Sequence, residues 1–399
     1  MKGRRPLFYG AGLVLLVAGL LTGIRIFYVL LFSQVVLLIC ALLINFFAAM
    51  TFTYLQNLSR ETTLRGSPVQ MTLEIHNEKP IPFPMMRIQV MIANEPGMQL
   101  LSLNLPPRSH QTYELDMACP YRGEYAVGMT VVDLLDIFGL IRLPFDMRML
   151  PYYRMKTLLV LPRLVLLPRL NMPALDVQQF SRNQTLTENH NEPFAMVRPY
   201  RPGDPGKQIH WKASLRQHKL MTRIYEQSSE HAVELLLDLR QPEKPGEEAR
   251  QTEDIFCECA TALIYHLLKL NWQLKITGYG RQKIHRTGSS LKDFQELYHW
   301  LARVPFDGSG QFSQQMVHDL ASGSSARAVL ILTGRPDTDL AKILHQDVMK
   351  QLTCYTLVTG PVKINPREVR MGELFHQAGL PVWFIHYGES LADILRVDT

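Results

Sequence analysis

His231-Ala-Val-Glu-Leu-Leu-Leu-Asp238 is a short apolar run closed by a carboxylate, and the chain after it alternates between two periods. Residues 252–270 place Ile255, Cys259, Ala262, Leu263 and Leu267 on one side, the spacing of an amphipathic helix. Strand-like runs at 273–277, 328–332, 354–358 and 382–386 are separated by helical stretches at 291–301 and 340–351. Strands alternating with helices imply right-handed crossovers and a mostly parallel sheet covered on both faces. Ligands of such sheets bind at the carboxyl ends of the strands, which places Asp238, Thr333 and Asp337 near one rim.

Upstream, residues 60–160 have period two. Val69, Met71, Leu73 and Ile75 alternate with Gln70, Thr72, Glu74 and His76, and similar alternation recurs at 88–92, 113–117 and 125–131. Asn77, Pro80, Pro84, Pro96-Gly97 and Pro106-Pro107 break the runs. Short alternating strands between such turns predict a small β-sandwich.

The amino terminus has a different solvent. Residues 7–24 and 26–50 carry no charge, each run is near the ~20 residues that cross a bilayer as a helix, and only Arg25 parts them. A secretory signal peptide competes for the first run, since Lys2, Arg4 and Arg5 make a basic start. A second apolar run follows at once and no small-residue cleavage site stands out, which favours a two-helix hairpin. Lys2, Arg4 and Arg5 before the first helix and Arg60 and Arg65 after the second outweigh Arg25 in the loop. Positive charge stays inside, so the soluble bulk is expected in the cytoplasm and the protein in the inner (cytoplasmic) membrane as a multi-pass chain. Five cysteines, among them Cys40, Cys257 and Cys259, show no disulfide or zinc spacing and read as small apolar residues.

Between the two soluble regions lies Arg198-Pro-Tyr-Arg-Pro-Gly-Asp-Pro-Gly-Lys-Gln-Ile-His-Trp-Lys212, continuing to Ser214 and Arg216. Proline and glycine make 202–206 a tight, rigid loop. From Arg198 to Arg223 there are seven Lys or Arg residues and one acid, Asp204, so an anionic counterpart is expected. Two readings stand side by side. In one, Trp211, Tyr200 and Ile209 anchor a junction core, with Asp204 paired to Lys212 or Arg216. In the other, Arg198, Lys207, Lys212 and Arg216 face a partner, in the company of an aromatic hot spot.

This stretch resembles the signature of a bacterial family, domain-of-unknown-function family 58, whose pattern is filled here by Arg198, Tyr200, Gly203, Asp204, Lys207, Ile209, Trp211, Lys212, Ser214 and Arg216. Lys207 stands where the family usually has Arg, which keeps the charge and loses a bidentate fork. Arg122-Gly123-Glu124-Tyr125 and Asp136-Ile-Phe-Gly-Leu140 resemble two further family elements, with Ile137 in place of proline. The resemblance implies a von Willebrand A-like fold for 231–399. It also implies work with a MoxR-type AAA+ ATPase, and with a transglutaminase-like membrane protein, in assembly or maturation of cell-envelope complexes.

Domains of that fold hold a divalent metal on Asp-x-Ser-x-Ser after the first strand. Here the sequence is Asp238-Leu-Arg240-Gln-Pro242, which lacks both hydroxyls and sets a cation at the metal's place. Asp238 is expected to pair with Arg240 or to cap the sheet edge, and no metal or other cofactor is expected. No catalytic constellation is visible: Gly206-Lys207 lacks the other elements of a phosphate loop, and neither Gly-x-Ser-x-Gly nor His-Glu-x-x-His occurs. His210 has no nucleophile beside it, so a hydrogen-bonding role is preferred to that of a general base.

The expectation is therefore two transmembrane helices in 1–55, a β-sandwich in 56–165, a linker carrying the signature in 166–230 and a von Willebrand A-like α/β domain in 231–399. The function expected is that of a non-enzymatic adaptor, with Arg198, Tyr200, Gly203, Asp204, Lys207, His210, Trp211, Lys212 and Arg216 as its partner-binding residues. A membrane-tethered binder of nucleic acid or another anion is the alternative. A formal charge of +6 over 399 residues, without interleaved aromatics, weakens it.

Overall fold

The computed structural model describes residues 4–80, 82–93, 98–136, 139–167, 170, 172, 194–200, 209–225, 232–243, 245–321, 326, 328–335, 338–344, 353–362 and 366–395. They pack as two units, Met1–Leu161 and Pro162–Thr399.

The first unit opens with two helices, α1 (Arg4–Thr22) and α2 (Arg25–Thr51). Both expose large apolar side chains around their circumference, among them Leu7, Leu13, Leu20, Val29, Phe32 and Leu43. A helix apolar all round suits lipid and not water. α2 is long and apolar enough to cross a membrane, while the apolar part of α1, Pro6–Thr22, is shorter. The helices lie side by side, with Gly12 against the Gln34 side chain and Gly19 against the Tyr28 ring. The Gln34 Nε2 amide donates to the Phe8 carbonyl at 2.7 Å. Small residues and an interhelical hydrogen bond are the means by which helices associate where no hydrophobic drive exists.

Phe52 alone separates α2 from strand β1 (Thr53–Leu58). The remaining strands are β2 (Thr62–Leu64), β3 (Val69–Asn77), β4 (Phe83–Met91), β5 (Met98–Leu105), β6 (Ser109–Met117), β7 (Gly123–Leu135), β8 (Arg142–Asp146) and β9 (Lys156–Leu161). One sheet has the order β1-β3-β6, and the other runs β2-β9-β7-β4-β5 with β8 beside β7. The alternation in 69–77 is borne out residue by residue: Val69, Met71, Leu73 and Ile75 are buried, and the residues between them are half-exposed. Both sheets turn apolar faces to a single core that holds Met71, Leu73, Ile88, Val90, Val127 and Met129, with Ala48 of α2.

The two family-like elements of this unit are turn-making devices. Gly123 opens β7 at φ 141, and a Cβ there would meet the Tyr125 ring at 3.1–3.3 Å. Tyr125 folds back over it and donates its hydroxyl to the Arg122 carbonyl at 2.8 Å. Asp136, after β7, accepts from the Ile141 N–H at 2.6 Å and so closes the turn into β8.

In the second unit, β10 (Phe194–Pro199) and β11 (Met221–Tyr225) form an antiparallel ribbon that brackets a short helix α3 (Trp211–Gln217). A six-stranded sheet follows. Its elements are β12 (Ala232–Asp238), α4 (Glu247–Lys269), β13 (Gln273–Tyr279), β14 (Lys283–Gly288), α5 (Phe294–Arg303), α6 (Phe312–Ala321), β15 (Ala328–Thr333), α7 (Thr338–Leu344), β16 (Thr353–Gly360), α8 (Pro366–Gln377), β17 (Val382–His386) and α9 (Leu391–Ile394). The order is β14-β13-β12-β15-β16-β17, parallel throughout except for β14. Leu235 and Leu237 of β12 face a core with Phe256, Leu263 and Leu267 of α4. Leu236 faces the opposite core with Phe312 and Met316 of α6 and Phe375 of α8. Helices thus cover both faces, as near-continuous apolar strands require.

Residues assigned to a linker contribute to this packing. Leu167, Leu170 and Met172 belong to the α4-side core. The His266 Nδ1–H donates to the Leu167 carbonyl at 2.9 Å. Burial of His266 lowers its proton affinity, against the raising effect of that carbonyl. The 340–351 helix is shorter in its described part, Thr338–Leu344, and 345–351 lie outside the described residues.

Candidate interaction site

Two places in the second unit carry the residues singled out by sequence. The first is the point where the sheet order reverses, between the carboxyl ends of β12 and β15, the usual ligand position in open α/β sheets. Asp238 ends β12 with its side chain 1% exposed. The Arg240 guanidinium forks onto it, Nε to Oδ1 at 2.8 Å and Nη2 to Oδ2 at 2.7 Å. The Arg240 backbone N–H adds a third donor at 3.2 Å, and the Thr333 hydroxyl a fourth at 2.7 Å. Two charges withdrawn together from water require such matched donors.

The surroundings hold Arg240 in place. Its guanidinium lies 5.6 Å from the centroid of the Phe312 ring, and its backbone bridges Gly308. A Cβ on Gly308 would meet the carbonyls of Tyr279 and Leu239 at 2.9 and 3.1 Å, so only glycine permits this approach. Arg335, after β15, donates to the Gln241 carbonyl and to Glu243 at 3.3 and 3.2 Å. Asp337 lies outside the described residues. Among the described residues the donor set does not suit a divalent cation, because both oxygens of the carboxylate are taken up by the Arg240 guanidinium, with the Thr333 hydroxyl donating beside it. Among the described residues no group of three or more His, Cys, Asp or Glu is placed to hold a metal. The expected Asp238–Arg240 pair is present.

The second place is the signature. Gly203, Asp204 and Lys207 lie outside the described residues. The others surround β11, which pairs with β10 through Arg198↔Thr222 and also bridges Ile209 through Thr222. The Tyr200 N–H donates to the Leu220 carbonyl and the His210 N–H to the Met221 carbonyl, each at 2.8 Å. Arg198 reaches the Pro199 carbonyl at 3.1 Å.

From this platform α3 is set by two side chains. The His210 Nδ1 accepts from the Ala213 N–H at 3.1 Å, capping the first turn. Ser214, buried, donates to the His210 carbonyl at 3.0 Å and accepts from the Met221 N–H at 2.8 Å. His210 thus makes hydrogen bonds of the kind expected of it. Trp211 is not a core anchor: it is 64% exposed, and Leu215, one turn on, is 76% exposed. The buried residue of this short helix is Ser214, so α3 is seated by a hydroxyl clasp and not by an apolar face, which leaves the ring to solvent. Ile209 is half-buried, and Lys212 and Arg216 are exposed.

A third cluster was not anticipated. Glu368 of α8, 4% exposed, meets the His386 Nε2 at 2.9 Å, and Glu389 accepts from the His386 backbone N–H at 2.7 Å. His386 ends β17, and the rule that sites gather at strand carboxyl ends would have found it.

Comparison with known proteins bears on this unit. Residues 196–338 match the family described as "Protein of unknown function DUF58". The resemblance carried by the signature is thereby shown. The DUF58 match takes in α3, Asp238, Arg240 and Thr333, so both places lie within it. An uncharacterised protein, YeaD, of Bacillus subtilis (strain 168) is 27% identical over 165 residues, 40% of this chain and 39% of the relative's length. Among solved structures, a CARDB domain from Pyrococcus furiosus aligns with 27% of this chain and 91% of its own at 11% identity, with a TM-score of 0.20. The sporulation control protein Spo0M of Bacillus subtilis aligns with 38% of this chain and 58% of its own at 13% identity and a TM-score of 0.18. Scores that low establish no common fold.

Proposed function

We propose that this chain is a membrane-anchored, cytoplasm-facing adaptor that works with a MoxR-type AAA+ ATPase, and with a transglutaminase-like membrane protein, in assembly or maturation of cell-envelope complexes. One observation carries the reading: α3 holds Trp211 and Leu215 outward on a fixed platform, beside exposed Lys212 and Arg216. Exposed tryptophan with neighbouring arginine is the composition of a binding hot spot, not of a domain core. The buried Asp238–Arg240 pair supports a non-enzymatic, metal-free module, since the usual ligand position of the sheet is filled by the chain itself. A sheet ordered 3-2-1-4-5-6 in its own strand sequence, with the third strand antiparallel, is compatible with a von Willebrand A-like domain. Both helices and the flanking cations support a hairpin with the soluble units in the cytoplasm.

The test is co-purification of the tagged full-length chain, in detergent, with a MoxR-type ATPase of the same organism. Wild type is expected to retain the ATPase through washing. The Lys212→Glu/Arg216→Glu variant should release it while melting as wild type does, because exposed charges contribute little stability and reversed charges repel an acidic partner. No retention by wild type rejects the adaptor reading.

A further inference from the structure

We infer that Trp211 and Leu215 are the apolar anchor of this docking surface, that they enter an apolar pocket on a protein partner, and that carboxylates border that pocket. The inference rests on the adaptor reading and specifies the chemistry of its contact.

Residues 209–225 contain Lys212, Arg216, Lys219 and Arg223 and no Asp or Glu. Trp211 and Leu215 stand four residues apart on α3, and so do Lys212 and Arg216, which makes two adjacent stripes, one apolar and one cationic. Leu220, in the turn after the helix, is a further exposed apolar residue at 48%. Seven residues are too few to hold a helix in water by themselves. The His210 cap and the Ser214 clasp to Met221 supply the missing order before any partner arrives. An anchor already fixed in its bound shape loses little freedom on binding, which is how small apolar contacts gain affinity.

The two stripes have separate kinetic signatures. Rim charges act on the encounter and are screened by salt. A buried aromatic anchor acts on how long the complex lasts. A generic charged surface would show the first effect without the second.

The experiment immobilises the full-length chain in detergent and follows association and dissociation of the MoxR-type ATPase at low and high salt. Trp211→Ala should speed dissociation about 30-fold or more with little change in association, and Leu215→Ala should act in the same sense. Lys212→Glu/Arg216→Glu should slow association about tenfold at low salt, and the difference should shrink at high salt. Thermal melts of each variant should match wild type, and Trp211→Phe should restore most of the residence time. Dissociation unchanged in both Trp211→Ala and Leu215→Ala overturns the anchor while the adaptor reading stands. Absence of wild-type binding removes both. Trp211-dependent capture of phosphatidylserine vesicles or of duplex DNA, with ATPase kinetics unaffected, assigns the face to lipid or nucleic acid and also overturns the inference.

Discussion

Arg240 shows how one residue can decide what a sheet edge does. It neutralises Asp238 at a depth where neither charge could stand alone, and its guanidinium engages both oxygens of that carboxylate. Arg240→Ala should therefore destabilise the second unit by about 3–5 kcal/mol, since it strands a buried carboxylate. Wild type should show no rise in melting temperature with millimolar Mg²⁺ or Mn²⁺, because a cation bound to the folded state alone would raise it by mass action. A Mg²⁺-dependent rise that Asp238→Ala abolishes would show that a metal displaces the guanidinium. At α3, His210→Ala should cost about 0.5–2 kcal/mol of local stability and His210→Asn much less, since asparagine also caps. Amide exchange at Ala213 reads this directly: it should quicken in the alanine variant and stay near wild type in the asparagine one. Equal rates in all three would mean that the imidazole cap is dispensable.

Elements with a strong period are legible in the sequence. β3 alternates through nine residues, and α4 turns a continuous apolar side to the sheet, so each announces its own burial. β14, Lys-Ile-His-Arg-Thr-Gly, escaped because an exposed edge strand need not be apolar, and its cations protect the edge from pairing. α3 escaped for another reason: in seven residues no period is established, so its tryptophan could not be assigned to core or solvent from sequence. The start of the expected linker, 166–230, is in part core: Leu167, Leu170 and Met172 lie along a core made elsewhere, tied by the His266–Leu167 hydrogen bond. That tie should be sensitive to pH. His266 is held below its ordinary value of 6.5 chiefly by burial, so the unfolded chain binds the extra proton first. Its contribution is complete above about pH 6.5 and is lost as pH falls through the lower folded value. His266→Gln keeps a donor and removes the titration. Melting curves from about pH 7.5 to about pH 5 should then be less steep in pH for the variant than for wild type. Parallel curves would show that another group governs acid sensitivity.

At the scale of the whole molecule, the two sheets of the first unit and the α/β sheet of the second each bury apolar cores, while the two amino-terminal helices and α3 keep apolar residues outward. The proposed topology, a hairpin with cations on its inner side, predicts a cytoplasmic carboxyl terminus. An alkaline phosphatase fused there should be inactive and a green fluorescent protein bright; the reverse would place the soluble units outside and remove the ATPase from reach. The claim that α3 is a docking surface can be met head-on in intact cells by placing a photo-crosslinking amino acid at position 215. A covalent adduct with the MoxR-type ATPase is predicted there, and none from position 291, which in wild type is the exposed Leu291 of the same unit. An ATPase adduct from 291 with none from 215, or from neither, would contradict the account.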